Sequence, residues 1–408
     1  MKYDFTSIMD RRGMDAMAVD DLGKGGISPS IPKDNFDAIP MWVADMNFPT
    51  VPTIPDAIIK RASHPAYGYF SPRKEYIDSI LRWQKERNNI EGLLPEHLSY
   101  ANGVLGAVAS SLNVLCAKGD TVLVHTPAYI GFTHTLENNG YRMIHSPLVL
   151  DKSNVWRMDF EDMERKIIDN RIHAMVFCSP HNPCGRVWEK WELEQLMALC
   201  QKHDIYVVSD EIWSDLTLNG FKHIPTQSIS EDAKMRTIGI YAPSKTFNLA
   251  GLVGSYRIVY NRRLRDLIDK EAKLTQYNHR NVLSMHALIA AYSNEGMEWI
   301  DELRQVLTQN VDFACDFIRT HFEGISISHP QGTYMLFVDC TKWCQAHGKT
   351  IEEIEQACWD VGVALQDGRQ FFGPCHLRIN LALPFSRVEE AFNRLQKYVF
   401  TDLIQQTS

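Results

Sequence analysis

An aspartate, an asparagine, a lysine and a glycine turn each follow a short apolar run in this chain of 408 residues, at positions 210, 182, 245 and 103. Lys245 lies in Tyr241-Ala242-Pro243-Ser244-Lys245-Thr246-Phe247-Asn248, between strand-like runs at 237–241 and 255–259. Desolvating an ammonium is costly and lowers its pKa, which is what a lysine needs to form a Schiff base or to act as a base. A Ser-Lys pair alone carries little, because most such dipeptides sit on surfaces. Asp210 follows Ile205-Tyr206-Val207-Val208-Ser209, so its carboxylate sits at the end of a central strand and needs a partner; a protonated pyridine nitrogen would serve, and so would a helix N-terminus. Asn182, in Ser179-Pro180-His181-Asn182-Pro183-Cys184-Gly185, is placed at the sheet edge where open α/β sheets bind ligands, although the same residues make a good structural turn. Gly103, Val104 and Leu105 open a helix directly after a strand, where backbone N–H groups and the helix dipole suit a phosphate, or a plain turn. Asn182 to Asp210 spans 28 positions and Asp210 to Lys245 spans 35. The coincidence of four such features says more than any one of them.

The elements that must position them alternate. Strand signals at 98–101, 121–125, 142–146, 173–178, 205–209, 236–241 and 255–259 are separated by helical stretches, which predicts an α/β fold with a seven-stranded, mainly parallel sheet in a three-layer large domain. That domain is expected over 51–290. Residues 291–408 read as a smaller α+β domain, joined by an N-terminal arm at 1–50, with the cleft between the two. A bend is expected near Gly296, before a helix at 298–322.

Composition narrows the partners. The chain is 45% hydrophobic and 23% charged, with net charge about −8 and no run of Lys or Arg, which disfavours nucleic acid and anionic membranes and favours small metabolites. Its nine cysteines form no CxxC pairs, so reduced thiols and no metal site are expected. The polar start and the lack of an 18-residue apolar stretch predict a cytoplasmic protein without a membrane span.

On these motifs the chain resembles the aspartate aminotransferase superfamily, the fold-type I enzymes that use pyridoxal 5'-phosphate (PLP). Within it the resemblance is greatest to the cystathionine β-lyase, or C-S lyase, branch of the PatB/MalY type. It is carried by Asp4-Phe5, Asp10-Arg11-Arg12, Val43-Ala44-Asp45-Met46-Asn47-Phe48, Tyr67-Gly68-Tyr69, His125-Thr126-Pro127-Ala128-Tyr129, Ser209-Asp210-Glu211-Ile212, Ser244-Lys245-Thr246-Phe247-Asn248 and His376-Leu377-Arg378-Ile379-Asn380. The resemblance implies that Lys245 forms the Schiff base and moves protons, and that Asp210 keeps the pyridinium nitrogen protonated. Asn182 would donate to the cofactor's phenolate oxygen, and Tyr129 would stack on its ring. Gly103, Val104 and Leu105 would offer N–H groups to the phosphate, with Ser244, and with Tyr69 reaching across a homodimer interface. Arg378 would clamp the α-carboxylate of an amino-acid substrate, with Val43 and Tyr69 also at the substrate.

Four departures accompany the likeness. Trp213 stands three residues after Asp210, where the superfamily has Tyr and this branch often His; an indole donates one N–H and accepts nothing. Val253 stands where aminotransferases place a phosphate-binding Arg, which the lyase branch also lacks. Ala242 replaces a common Ser or Thr, and Ala18-Val19-Asp20 replaces the branch's Lys-Trp-Asp. The implied reaction is α,β-elimination of L-cysteine S-conjugates to thiol, pyruvate and ammonia. An aminotransferase would share the same carbanion and the same lysine, and for a dicarboxylate would need a second arginine, for which Arg73, Arg280 and Arg369 are available. A regulatory PLP-binding protein is the third reading.

Overall fold

The computed structural model describes residues 1–34 and 36–401. Its large sheet runs in the order Leu98–Asn102, Gly254–Ile258, Thr237–Tyr241, Tyr206–Asp210, Ala174–Cys178, Thr121–Thr126, Arg142–Leu150 and Trp156–Met158. The five strands from Thr237–Tyr241 to Arg142–Leu150 pair in parallel. Strand Gly254–Ile258 runs against both of its neighbours, and Trp156–Met158 against Arg142–Leu150.

All seven expected strands are present, and the sheet has an eighth. Trp156–Met158 is only three residues long and is the return arm of a hairpin, too short to show a period of its own. The central strands are buried along their whole length, as strands covered on both faces must be, and they read as continuous apolar runs for that reason.

Helices cover both faces. On one side, helix Lys190–Lys202 puts Leu193, Leu196, Met197 and Cys200 against Met175, Phe177 and Val207. On the other, helix Val104–Leu115 packs Ala107, Val108 and Leu112 against the sheet in a cluster that continues into the C-terminal elements. These form a four-stranded antiparallel sheet in the order Ser326–Ile327, Met335–Asp339, His376–Asn380, Gln366–Asp367, with helices Ile351–Asp360 and Phe385–Tyr398.

Helix Asn294–His321 spans 28 residues, about 42 Å at 1.5 Å per residue. It begins earlier than the sequence suggests, and the expected bend lies at Tyr292 and Ser293, after helix Val282–Ala291, with Gly296 itself inside the first helical turn. Ser293 is the N-cap, its hydroxyl accepting the Gly296 N–H at 3.1 Å, and a Cβ on Gly296 would lie 1.8 Å from the Ala291 carbonyl oxygen. Glycine is required here by the close approach of the preceding helix end.

The N-terminal arm is irregular, but it is tied to the C-terminal elements. Ile39–Pro40 pairs in parallel with Val363–Ala364, and Asp37 takes ion pairs from Arg387 and Arg394. No helix among the described residues is long and apolar enough to cross a membrane.

Fully buried Asn310 donates to the carbonyls of Leu381 (2.9 Å) and Leu383 (2.8 Å), the turn that follows the strand carrying Arg378. Without it the Leu383 carbonyl loses its side-chain donor and the Leu381 carbonyl keeps only the Leu383 N–H. Asn310→Ala is expected to lower unfolding stability by roughly 2 kcal/mol in urea titration; a loss within experimental error would remove Asn310 as the clamp on that turn.

Candidate active site

The ends of four strands converge on a cavity of about 310 Å³. Its wall includes Gly103, Val104, Leu105, Tyr129, Asn182, Asp210, Trp213, Ser244 and Lys245, so nine of the site residues expected from sequence are brought together. Asp210 is the last residue of its strand, Asn182 follows Ala174–Cys178 by a tight turn, and Gly103 follows Leu98–Asn102.

Lys245 sits in the turn after Thr237–Tyr241. Its neighbour Thr246 anchors the turn by donating to buried Asp215 at 2.9 Å, while the Trp83 indole donates to the same carboxylate at 3.1 Å. The Lys245 ammonium donates to the Ala44 carbonyl at 2.7 Å and lies 5.7 Å from the centroid of the Trp213 ring. Burial, with the positive charge of Arg378, pulls its pKa down to about 8; Asp45 and Asp210 pull the other way.

Asp210 and Glu211 are adjacent buried carboxylates with opposite surroundings. Glu211 accepts from His223 (2.7 Å), Ser209 Oγ (2.9 Å), the Thr226 N–H (3.0 Å) and the Tyr241 hydroxyl (2.5 Å). Although burial opposes it, His223 and these donors hold the Glu211 pKa below its ordinary value. Asp210 accepts one backbone N–H, from Ile212 at 3.1 Å, and burial pushes its carboxyl up to about 7. It lacks the countercharge that a protonated ring nitrogen would supply.

The phosphate cradle starts one residue later than expected. The Gly103 N–H donates to the Val253 carbonyl at 2.5 Å, which leaves Val104, Leu105 and Gly106 as the free N–H groups of the helix start. Gly103 contributes its conformation, φ 68° and ψ 157°. Val253 holds its carbonyl in place from φ 60°, a strained value for a β-branched residue.

Arg378 is buried behind the cavity. One terminal nitrogen donates to the Trp42 carbonyl at 2.8 Å and to Gln366, and the guanidinium lies 4.3 Å from the Phe371 ring centroid. Its Nε and Nη1 are buried without hydrogen-bond partners; they do not share an edge of the fork, whose bidentate edges pair Nη2 with one or the other, and Nη2 is already taken. Asn182 Oδ1 is likewise unpartnered.

Two expected residues lie elsewhere. Val43 does not reach the cavity: its carbonyl is held by Asn380 at 2.7 Å, and Ala44 forms the wall instead. Tyr69 is fully exposed, beside Tyr67, Asn278 and His279, so within one chain it touches no cavity residue. None of Arg73, Arg280 and Arg369 lines the cavity; Arg369 is taken by Asp367 and Glu352, and Arg280 lies over Tyr76 and Tyr100.

Sequence reading missed the role of segment 41–48 as a strap. Asn248 grips Met46 through its N–H (3.0 Å) and carbonyl (2.9 Å), while Asn380 holds the Val43 and Asp45 carbonyls. Both asparagines stood in the quoted motifs, and Asn248 carries φ 58°, a conformation asparagine tolerates. Tyr277, also on the wall, gave no signal in the sequence.

Comparison with known proteins decides the family. The model of the aminotransferase class I and II family matches residues 39–395. The chain belongs to that family. Among its relatives is the cystathionine β-lyase PatB of Bacillus subtilis, 33% identical over 88% of this chain and 92% of that one. The fold matches a PLP-bound protein from Clostridium difficile 630, provisionally named an aminotransferase (TM-score 0.88, 36% identity, 97% of this chain and 99% of that one). It also matches the PLP-bound C-S lyase of Staphylococcus hominis (TM-score 0.87, 27% identity, 98% and 99%).

The charges around Lys245 make a signed prediction. A pKa of about 8 leaves half of the amine neutral at that pH, whereas an exposed lysine is under about 1% neutral. The pH midpoint for acylation of Lys245, followed by mass spectrometry in cofactor-free protein, is expected near 8. Arg378→Leu should raise this midpoint and Asp210→Asn should lower it; a midpoint near 10 unmoved by either change would refute the electrostatic account.

Proposed function

We propose that this protein is a PLP-dependent C-S β-lyase that carries out α,β-elimination on L-cysteine S-conjugates such as cystathionine. The observation that carries the reading is that Lys245 and underpartnered Asp210 line one cavity, with Arg378 buried close enough for its charge to act on Lys245 and none of the other candidate arginines on the wall. A relative named cystathionine β-lyase and a neighbour named C-S lyase support it, as does Val253 at the position where aminotransferases place an arginine.

The residues present fit the cofactor. Val104, Leu105 and Ser244 would hold its phosphate, Asp210 its ring nitrogen, Asn182 its phenolate oxygen, and Tyr129 one face of the ring. When bound, PLP supplies an electron sink for the pair left on the substrate's Cα. Arg378 would position the amino acid by its carboxylate, through a donor that lacks a partner, Nε or Nη1. Lys245, as a neutral amine, takes the Cα proton, and its lowered pKa makes that form available near neutral pH. Asp210 keeps a proton on the ring nitrogen only if it is itself ionised, and pairing with that cation would bring its raised pKa back down. Trp213 packs edge-on against Tyr334, ring centroids 4.8 Å apart, which fixes the indole beside the base. Loss of the β-thiolate and addition of water give thiol, pyruvate and ammonia.

We read the enzyme as a cytoplasmic homodimer in which exposed Tyr69 serves the partner's phosphate and substrate. We divide the chain into arm 1–50, large domain 51–290 and small domain 291–408, a reading supported by the two separate sheets and by the arm's pairing with Val363–Ala364.

Incubation of the PLP-loaded protein with L-cystathionine, without any keto acid, is expected to give pyruvate and ammonia in equal amounts over many turnovers. Lys245→Ala should reduce the rate by at least about three orders of magnitude. A single turnover that resumes only on adding a keto acid would replace the lyase with an aminotransferase.

A further inference from the structure

Apart from Lys245, the cavity wall carries no cation. With the Gly103 N–H committed to Val253, and with Val253 and Ala242 in positions that offer neither cation nor hydroxyl, the chain presents the Val104, Leu105 and Gly106 N–H groups and Ser244 to a group of charge near −2. Tyr277 stands at that end. A Cβ on Gly106 would fall 2.8 Å from Tyr277 Cε1 and 3.3 Å from its hydroxyl oxygen, so the phenol lies across the first turn of helix Val104–Leu115, and Gly106 is the residue that lets it do so.

The loop carrying Tyr277 is fastened there. Asn102 donates its backbone N–H to Asn278 Oδ1 at 3.0 Å and its side-chain amide to the Tyr277 carbonyl. Tyr100 in turn donates to Asn102 Oδ1 at 2.8 Å, and Asn278 reaches Ser110 Oγ at 3.4 Å. The same Asn102 ends the strand that leads into Gly103, so one side chain sets both the glycine turn and the tyrosine beside it. The Tyr277 hydroxyl makes no hydrogen bond to any described residue.

We infer that the Tyr277 hydroxyl is a ligand of the phosphate monoester, donating to it alongside the free N–H groups of Val104, Leu105 and Gly106. A phenol keeps its proton at neutral pH and forms a charge-assisted bond with a phosphate dianion, stronger than a neutral pair. The inference rests on the proposed function, since it takes PLP as the molecule in the cavity.

The test compares wild type with Tyr277→Phe, which keeps the ring over Gly106 and removes only the hydroxyl. Full-length cofactor-free protein is titrated with PLP and, separately, with pyridoxal, which lacks the phosphate, following both protein fluorescence and the visible band of cofactor linked to Lys245. Tyr277→Phe is expected to weaken PLP about fivefold to tenfold and leave pyridoxal unchanged. Inorganic phosphate should compete less well against PLP in the variant by a similar factor. Equal PLP affinity in the two proteins overturns the inference. An equal loss for PLP and pyridoxal also overturns it, because the tyrosine then acts only by holding the loop. If wild type itself gives no Lys245-dependent visible band with PLP, the proposed function fails, a result distinct from the other two.

Discussion

Two cations share one dry cleft, and the main-chain carbonyls of segment 41–48 are what make this tolerable. The Lys245 ammonium donates to Ala44 and the Arg378 guanidinium to Trp42, two residues apart. Neither arrangement restores the full hydration of a charge, and burial accordingly lowers Arg378 to about 10 and Lys245 to about 8. Asn248, from the turn of the large sheet, and Asn380, from the small sheet, fix the strap from opposite sides. The distance between base and carboxylate clamp is therefore set by a segment that belongs to neither sheet. A shift of the strap would move both cations' partners together.

The adjacent carboxylates of Asp210 and Glu211 follow from a similar economy. At the end of an extended strand, neighbouring side chains point to opposite faces. One face meets His223, Ser209, Thr226 and Tyr241, which satisfy Glu211; the other meets the cavity, where Asp210 finds a single N–H. Glu211's negative charge adds to the burial that raises Asp210. The pair thus keeps one carboxylate ionised for structure and leaves the other ready for a positive ring nitrogen.

How much of this was legible in the sequence depended on whether the signal was local. The parallel strands were, because burial on both faces writes itself as runs such as Val122-Leu123-Val124 and Met175-Val176-Phe177. The residues at their ends followed, since a polar residue after such a run has one place to go. Trp156–Met158 was too short to show a period, and Gly296 reads as a helix breaker until its contact with the Ala291 carbonyl is known. The placement of Ala44 rather than Val43 on the wall, and the withdrawal of the Gly103 N–H, depend on where backbone groups point across separations of 201 and 150 positions. Side-chain periodicity carries no record of that. Tyr277 is hidden for the same reason: its place over Gly106 is fixed by Asn102, at the far end of a long crossover.

Trp213 changes what the lysine's wall can do. An indole can neither accept a proton nor pass one on, so a relay through this position is closed, and the residue contributes a rigid face 5.7 Å from the ammonium. In the proposed reaction the proton taken from a substrate would then remain with Lys245 until it is delivered to a group in the cavity. For that the amine has to leave the Ala44 carbonyl, which would strand a buried acceptor were it the only donor there. It is not, because the Tyr334 hydroxyl donates to the same oxygen at 3.1 Å. A carbonyl has two lone pairs, and with Tyr334 on one of them the strap keeps its anchor whether Lys245 is bound to it or reaching into the cavity. The Lys245 ammonium is free to move because the strap's carbonyl is also held by Tyr334.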